Sequence, residues 1–277
     1  MIDEIKKIFP ENPKGLKISK FFHGGPAYAT KILFFVSFGN QPVGLIKMVR
    51  NPEENDLIDR EIEGIKYFTS LKLKTPQIIN LGEIKGLKYI FQEILPGRSV
   101  NKNEAVKIFS KVANYHNFVN KAGQIKIKEI IEPIKNLKIQ KDREILDTLE
   151  QLSLRENNKI YLAPQHGDLT YRNLIINGDD ISFIDFENFG LRPVWGLDVI
   201  HYLSRMVDAN NEKRNVADTA LYFVEASRKY RNKHDLKISD EESADLFLLD
   251  LLFEILKKNF FSGRKEIIPA IKNIWQK

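Results

Sequence analysis

The residues best equipped for chemistry fall in two neighbouring stretches. Asp168 and Asn173 belong to His166-Gly167-Asp168-Leu169-Thr170-Tyr171-Arg172-Asn173, and Asp185 belongs to Ile184-Asp185-Phe186-Glu187. Between them, Leu174-Ile175-Ile176, the turn Asn177-Gly178-Asp179-Asp180 and Ile181-Ser182-Phe183 read as a β-hairpin. One acid and one amide therefore precede a hairpin, and a second acid follows it. Phosphoryl transfer from a magnesium nucleotide needs such a set: hard oxygen ligands for the metal and a carboxylate beside the attacking hydroxyl. Asp168 can orient that hydroxyl and accept its proton. Asn173 can offer its amide oxygen to Mg²⁺, and Asp185 can bind the Mg²⁺ that bridges the phosphates. Singly, these residues would be turn formers and a strand end; their order around a hairpin favours the catalytic reading.

Protein kinases place Asp and Asn at this spacing, with a further Asp after a short hairpin. Here Gly167 stands where protein kinases carry Arg. With that change the stretch resembles the His-Gly-Asp-x-x-x-x-Asn of the aminoglycoside phosphotransferase and choline kinase superfamily. The resemblance implies an α+β, two-lobed protein-kinase-like fold. Residues 1–94 would form a nucleotide-binding lobe, a five-stranded antiparallel sheet with one helix. Residues 95–277 would form a larger, mainly helical lobe that carries the catalytic loop and the acceptor site.

The elements that must position these groups follow in order. Residues 2–9 suit a short helix stopped by Pro10 and Pro13, and residues 16–22 suit a strand. His23-Gly24-Gly25-Pro26 is a turn, followed by β-rich runs over 28–38 and 43–49. Gly24 and Gly25 would let backbone N–H groups approach the nucleotide phosphates, or would simply turn the chain. Superfamily members often follow Gly-Gly with a small polar pair; Pro26-Ala27-Tyr28 departs from that pattern. Lys47, on the third strand, is placed to hold the α- and β-phosphates. Its expected partner lies on a helix over 55–71, with Ile58, Ile62, Ile65 and Phe68 on one face. Glu61 and Glu63 compete for that role, and roughly 200° of helix separates them. Arg60-Glu61 resembles the family's Arg-Glu at this point, so Glu61 is preferred.

Strands are expected over 78–81 and 87–94, before Leu95-Pro96-Gly97 breaks the chain. This segment resembles the inter-lobe hinge of the family, where adenine would bond to the main chain of Glu93, Ile94 and Leu95. A helix over 103–121 should turn Val106, Phe109, Val112 and Ala113 inward, with His116 a packed core histidine. Residues 125–139 are irregular around Pro133, and 142–153 suggest a helix. His166 should brace the catalytic loop. Asp198 should cap the following helix and tie that loop down without binding metal. Glu187 either assists the metal through water or is simply exposed. Helical spacing recurs over 199–207, 216–229, 240–261 and 266–275; Tyr202, Tyr222, Phe223, Tyr230 and Trp275 are core rather than acceptor-site candidates.

Composition sets the wider bounds. A chain of 277 residues with 43% hydrophobic content can bury a sizeable core. With no cysteine, disulfides and thiolate metal sites are excluded. The first residues, Met1-Ile2-Asp3-Glu4-Ile5-Lys6-Lys7, lack a signal-peptide apolar core, and no run is long enough to span a bilayer. A cytoplasmic protein without membrane partners is expected. The net charge of +6 fits a polyanionic nucleotide. Because the lysines are dispersed, a nucleic-acid partner is not expected.

The resemblance therefore implies a small-molecule kinase that uses ATP or GTP with Mg²⁺ and phosphorylates a hydroxyl. The acceptor stays open among an amino alcohol such as choline or ethanolamine, a sugar, and an aminoglycoside. The last helices are not conspicuously acidic, which disfavours a polycationic antibiotic. The competing reading is a non-catalytic nucleotide-binding pseudokinase or scaffold. The absence of an Ala-Pro-Glu ending makes a protein acceptor less expected.

Overall fold

The computed structural model describes residues 2–9, 14–21, 31–127, 129, 147, 159–208 and 216–261. The chain forms two compact units, residues 1–99 with 174–188, and residues 100–173 with 189–277. The division falls after Ser99 rather than after residue 94, and the hairpin belongs with the first unit. The reason is visible in the pairing. A short strand β6 (Arg98–Ser99) hydrogen-bonds to the hairpin strand β9 (Leu174–Asn177), which pairs in turn with β10 (Asp180–Phe183).

The first unit is built on five antiparallel strands, β1 (Leu16–Phe21), β2 (Lys31–Phe38), β3 (Gln41–Val49), β4 (Ile78–Ile84) and β5 (Leu87–Gln92), in the order β1-β2-β3-β5-β4. Alternation along β3 gives its two faces different tasks. Ile46 and Met48 join Ile32, Phe34, Val36, Tyr89 and Phe91 in a core covered by Ile5 of helix α1 (Ile2–Lys6). Lys47 and Val49 point the other way. There, helix α2 (Asn55–Ser70) packs on β3 and β5 through an apolar stripe that includes Leu57, Ile58, Ile65 and Phe68. Full burial of each such side chain contributes about 1.5–3 kcal/mol. Gly64 has a specific reason to be glycine: an added Cβ would lie 2.5 Å from Phe186 Cβ. The bare backbone admits the Phe186 ring, which packs 4.8 Å from the ring of Phe68. This contact seats the segment that carries Asp185 against α2.

The second unit is helical: α3 (Lys102–Phe118), α4 (Leu197–Met206), α5 (Val216–Lys233) and α6 (Asp240–Phe261), with a strand pair β7 (Gly123–Lys126) and β8 (Lys159–Leu162). A capping box starts α3, where Asn101 accepts from the Glu104 N–H and Glu104 accepts from the Asn101 N–H. Ser239 and Glu242 exchange the same pair of bonds at the start of α6. Phe109, Val112 and Ala113 of α3 are buried as expected, but Val106 is 43% exposed. The buried stripe runs through Ala105, Phe109, Val112, Ala113 and His116, and Val106 lies at its edge, about 20° of helix rotation beyond Ala113. His116 is a core histidine, its ring 4.2 Å from that of Trp195. Burial, with Lys121 nearby, lowers its pKa to about 4. Tyr202 and Phe223 are core residues, and Phe223 stacks on Phe247.

The expected irregular segment over 125–139 and helix over 142–153 lie almost wholly outside the described residues. The helix over 266–275, with Trp275, lies entirely outside them. Among the described residues, no helix is long and apolar enough to cross a membrane.

Candidate active site

Each unit carries a cluster of charged side chains among the residues expected to form the site. In the first, Lys47 Nζ lies 2.5 Å from Glu61 Oε1 and 3.3 Å from Asp185 Oδ1. The register explains the reach: Lys47 sits opposite Leu33 on β2 and Ile90 on β5, on the sheet face that α2 covers. Glu61 falls on the buried side of α2 and Glu63 does not, because the helix turns 100° per residue. Glu61 is only 1% exposed, and its Oε2 is buried with no hydrogen-bond partner among the described residues. Asp185 follows the hairpin with a left-handed φ of 67°. That conformation is costly for a residue with a Cβ but more accessible to Asp than to most. Held strain of this kind concentrates at functional positions.

A second lysine stands in this cluster and has no counterpart in the sequence expectations. Lys31 Nζ lies 3.1 Å from Asp185 Oδ1 and 2.6 Å from Glu187 Oε2. Burial alone would lower its pKa, but the charges of Asp185, Glu187 and Glu61 outweigh that and raise it. Glu187 is thus neither simply exposed nor idle; it neutralises Lys31, and its backbone carbonyl accepts from Arg60 Nε at 2.7 Å. In sequence, Lys31 is one more lysine at the start of an apolar strand, with nothing to mark it. Gly24 and Gly25 lie outside the described residues.

At the hinge the Glu93 N–H is committed to the Gln77 carbonyl at 3.0 Å, and the Glu93 side chain accepts from the Gln77 N–H. Main-chain recognition here would fall to the Glu93 carbonyl and to Ile94 and Leu95. A hollow of about 710 Å³ in this unit is lined by Ile65, Thr69, Leu73, Ile78, Leu95 and Ser182 among others, and none of Lys31, Lys47 or Asp185 reaches it.

In the second unit the loop over 166–173 is tied by its backbone. Asp198, 2% exposed in the first turn of α4, accepts from the His166 N–H at 2.6 Å, the Gly167 N–H at 3.0 Å and the Tyr115 hydroxyl at 2.8 Å. Gly167 takes a φ of 84°, a left-handed turn that glycine adopts without strain, and this aims its N–H at Asp198. The cap of α4 is Gly196, not Asp198, because Asp198 is already inside the helix and spends its oxygens on the loop. His166 is fully buried and braces the loop through its main-chain N–H. Gln165 adds a return bond, its side-chain oxygen accepting from the Asp198 N–H.

The loop closes on itself in turn. Asn173 donates its side-chain N–H to the Asp168 backbone carbonyl at 2.8 Å, and its own backbone N–H bonds to Thr170. With the amide nitrogen given to the loop, the Asn173 oxygen is the end of the side chain that would serve as a hard donor to Mg²⁺. The Asp168 side chain is 23% exposed, and its Oδ1 lies 3.4 Å from His201 Nε2. His201 bonds through Nδ1 to Asp250, which pairs with Arg192 at 2.8 Å; Arg192 and Arg205 both bind Glu254. Asp250 reaches His201 and Arg192 from 49 and 58 positions away in sequence, a convergence that no local spacing marks. Asp168, His201 and Glu254 converge closely enough to bind a cation. The two arginines already neutralise Glu254.

No protein-family model matches the chain, and no curated protein matches it in sequence. Solved structures do match in fold. The GDP and kanamycin complex of APH(2")-IIia superposes with a TM-score of 0.65 at 12% identity, covering 99% of this chain and 97% of that one. Aminoglycoside 2'-phosphotransferase-IIIa with GDP gives 0.62 at 13% identity, over 99% and 96% of the two chains. This chain has the aminoglycoside phosphotransferase and choline kinase fold. Choline kinase from Cryptosporidium parvum Iowa II also matches, with a TM-score of 0.55 at 16% identity, over 99% of this chain and 93% of that one. Within this protein-kinase-like fold, the expected small antiparallel-sheet unit and helical unit are both present.

Proposed function

We propose that the protein is a small-molecule kinase that moves the γ-phosphate of ATP or GTP to a hydroxyl of a small metabolite. The observation that carries this reading is Lys47, a buried ammonium shared between Glu61 and Asp185. Nothing in the packing of the sheet requires a charge there, and burying one costs several kcal/mol unless it is fully paired. A lysine held by a helix glutamate beside a carboxylate is the arrangement that kinases use for nucleotide phosphates. The solved structures of this fold with bound GDP support the same assignment.

Asp185 and Asn173 offer the oxygen donors that fit Mg²⁺. When bound, the ion would neutralise phosphate charge and polarise the transferring group. Lys47 would hold the α- and β-phosphates, and Lys31, already beside Asp185, would add a second positive charge. The hinge main chain at Glu93, Ile94 and Leu95 would hold the base. Gly24 and Gly25 would approach the phosphates through their backbone. Asp168 would align the acceptor hydroxyl and take its proton. A bond forms between the acceptor oxygen and the γ-phosphorus, the bond to the bridging oxygen breaks, and the nucleoside diphosphate leaves. The work is mostly positioning and electrostatics.

For the acceptor, amino alcohols, sugars and aminoglycosides share the necessary hydroxyl. Kanamycin is the acceptor-class ligand in one matching structure, and choline kinase is another match. Titration calorimetry of nucleotide binding tests the reading: Asp185→Ala should abolish Mg²⁺-dependent binding of ATP. Intact binding at low Mg²⁺ would remove Asp185 from that role.

A further inference from the structure

The charged chain behind Asp168 has no counterpart in the motif. His201 is 1% exposed and Asp250 is 1% exposed, both deep in the helical unit. His201 Nδ1 lies 2.8 Å from Asp250 Oδ1 and 3.0 Å from Oδ2, so the carboxylate fixes one ring nitrogen. Arg192 bonds the same Asp250 and is itself bound by Glu254, which anchors the carboxylate in turn. The other ring nitrogen, Nε2, is buried and makes no hydrogen bond of good geometry among the described residues, and Asp168 Oδ1 stands 3.4 Å from it. A donor fixed from behind and aimed at a carboxylate is the usual way to orient a catalytic group. A long contact in the resting protein commonly tightens when substrate binds.

We infer that His201 is a positioning residue for Asp168: backed by Asp250, it presents Nε2 to Asp168 Oδ1 and so fixes the direction in which the carboxylate meets the acceptor hydroxyl. The inference rests on the reading of Asp168 as the residue that meets that hydroxyl. The charged groups that face the ring are Asp168 from the catalytic loop, Asp250 and Glu254 from α6, and Arg192 from the segment before α4. Burial opposes the charged ring, but Asp250 and Asp168 outweigh burial and Arg192, and they raise its pKa to about 9. The charged, doubly protonated ring is thereby favoured, and in that form both ring nitrogens can donate, Nδ1 to Asp250 and Nε2 towards Asp168.

Two measurements on the full chain test this, with water as acceptor and Mg²⁺-ATP as the probe. Long-range ¹H–¹⁵N NMR of the five histidines should find one ring doubly protonated at neutral pH, with a midpoint of about 9. That midpoint should fall in Asp168→Asn. No response to Asp168→Asn would overturn the inference. In ATP turnover, His201→Asn keeps a group near Asp250 but cannot reach Asp168. It should lower kcat roughly 10- to 100-fold with KM for ATP unchanged, the range expected for a misplaced reacting group. His201→Gln, whose amide can extend towards Asp168, should recover much of the loss. Wild-type kcat in His201→Asn, with Asp168→Asn inactive, would overturn the positioning role alone. Full activity in Asp168→Asn would overturn the reading of Asp168 itself. Should His201→Asn fail to fold, the titration of His201 in Asp168→Asn still decides the coupling.

Discussion

Lys47 and Glu61 allow stability and function to be separated by substitution. The two side chains are 7% and 1% exposed, and they meet at 2.5 Å. Removing one partner leaves the other as an uncompensated buried charge, which costs about 3–5 kcal/mol. Lys47→Met should therefore lose about that much stability, even though methionine fits an apolar slot. Asp185 is not stranded by the change, because Lys31 remains 3.1 Å from it. Replacing both charges with Lys47→Met and Glu61→Leu should reverse most of the loss. The native pair is imperfect, since Glu61 Oε2 has no hydrogen bond among the described residues. Apolar pairs that replace buried ion pairs are commonly neutral or better. The double variant should thus fall within about 1 kcal/mol of wild type, recovering about 2–4 kcal/mol of the loss in Lys47→Met. Urea unfolding followed by circular dichroism gives the stabilities, and calorimetry gives the affinity for Mg²⁺-ATP. Nucleotide binding should be strongly weakened in both the single and the double variant, because neither keeps the Lys47 charge that would hold the α- and β-phosphates, and Lys31 is already shared between Asp185 and Glu187. A double variant as unstable as Lys47→Met, or one that binds ATP normally, would refute the argument that this charge is kept for nucleotide.

Other outcomes follow from neighbouring contacts. Asp198→Ala strands two main-chain N–H groups and the Tyr115 hydroxyl. At about 1–3 kcal/mol for each stranded group, the urea midpoint should drop substantially, and kcat should fall far more than ATP affinity. A wild-type midpoint would contradict this. Gly64→Ala should not stabilise α2 by the roughly 1 kcal/mol that helix propensity alone offers. The new Cβ would meet Phe186 at 2.5 Å, so a net loss in thermal stability is expected, and a gain would show that Phe186 yields freely. The pKa of His201 is raised from 6.5 to about 9 on folding. Its ion pairs therefore stabilise fully below pH 6.5 and are lost as pH rises through about 9. Urea unfolding at pH 7 and pH 10 should show the decline, and His201→Asn should flatten it.

How much was legible in the sequence varies with the physics of each element. Strands and helices whose apolar spacing repeats were readable to within a few residues. The helix at 240–261 matches its expected bounds, because an acidic first turn and a long apolar run leave little choice. Periodicity showed only that Glu61 and Glu63 cannot both face Lys47; the resemblance of Arg60-Glu61 to the family's Arg-Glu made the choice, and Glu61 lies on the buried face of α2. The helix face at Val106 misled, because at the edge of a stripe a valine faces core or solvent according to the neighbour that packs there. Lys31 and the His201–Asp250–Arg192 chain were not legible. Their meaning comes from tertiary contacts between residues 58 and 154 positions apart, and local pattern carries no trace of them. Asp168 and Asn173 could be singled out as candidates because one short segment holds both, and the structure joins them through the Asn173 side chain and the Asp168 carbonyl.

The central claim is phosphoryl transfer with Asp168 at the acceptor. Its most direct test is to incubate the purified chain with Mg²⁺-ATP and a deproteinised metabolite extract, and to follow the mixture by mass spectrometry. At least one hydroxyl-bearing species should gain a phosphoryl group with wild type. With Asp168→Asn its formation should slow by roughly 10²–10⁴, the range for loss of a general base. A product formed equally fast by Asp168→Asn, or no product from a chain shown to bind ATP and offered choline, ethanolamine, sugars and kanamycin as well, would contradict the account.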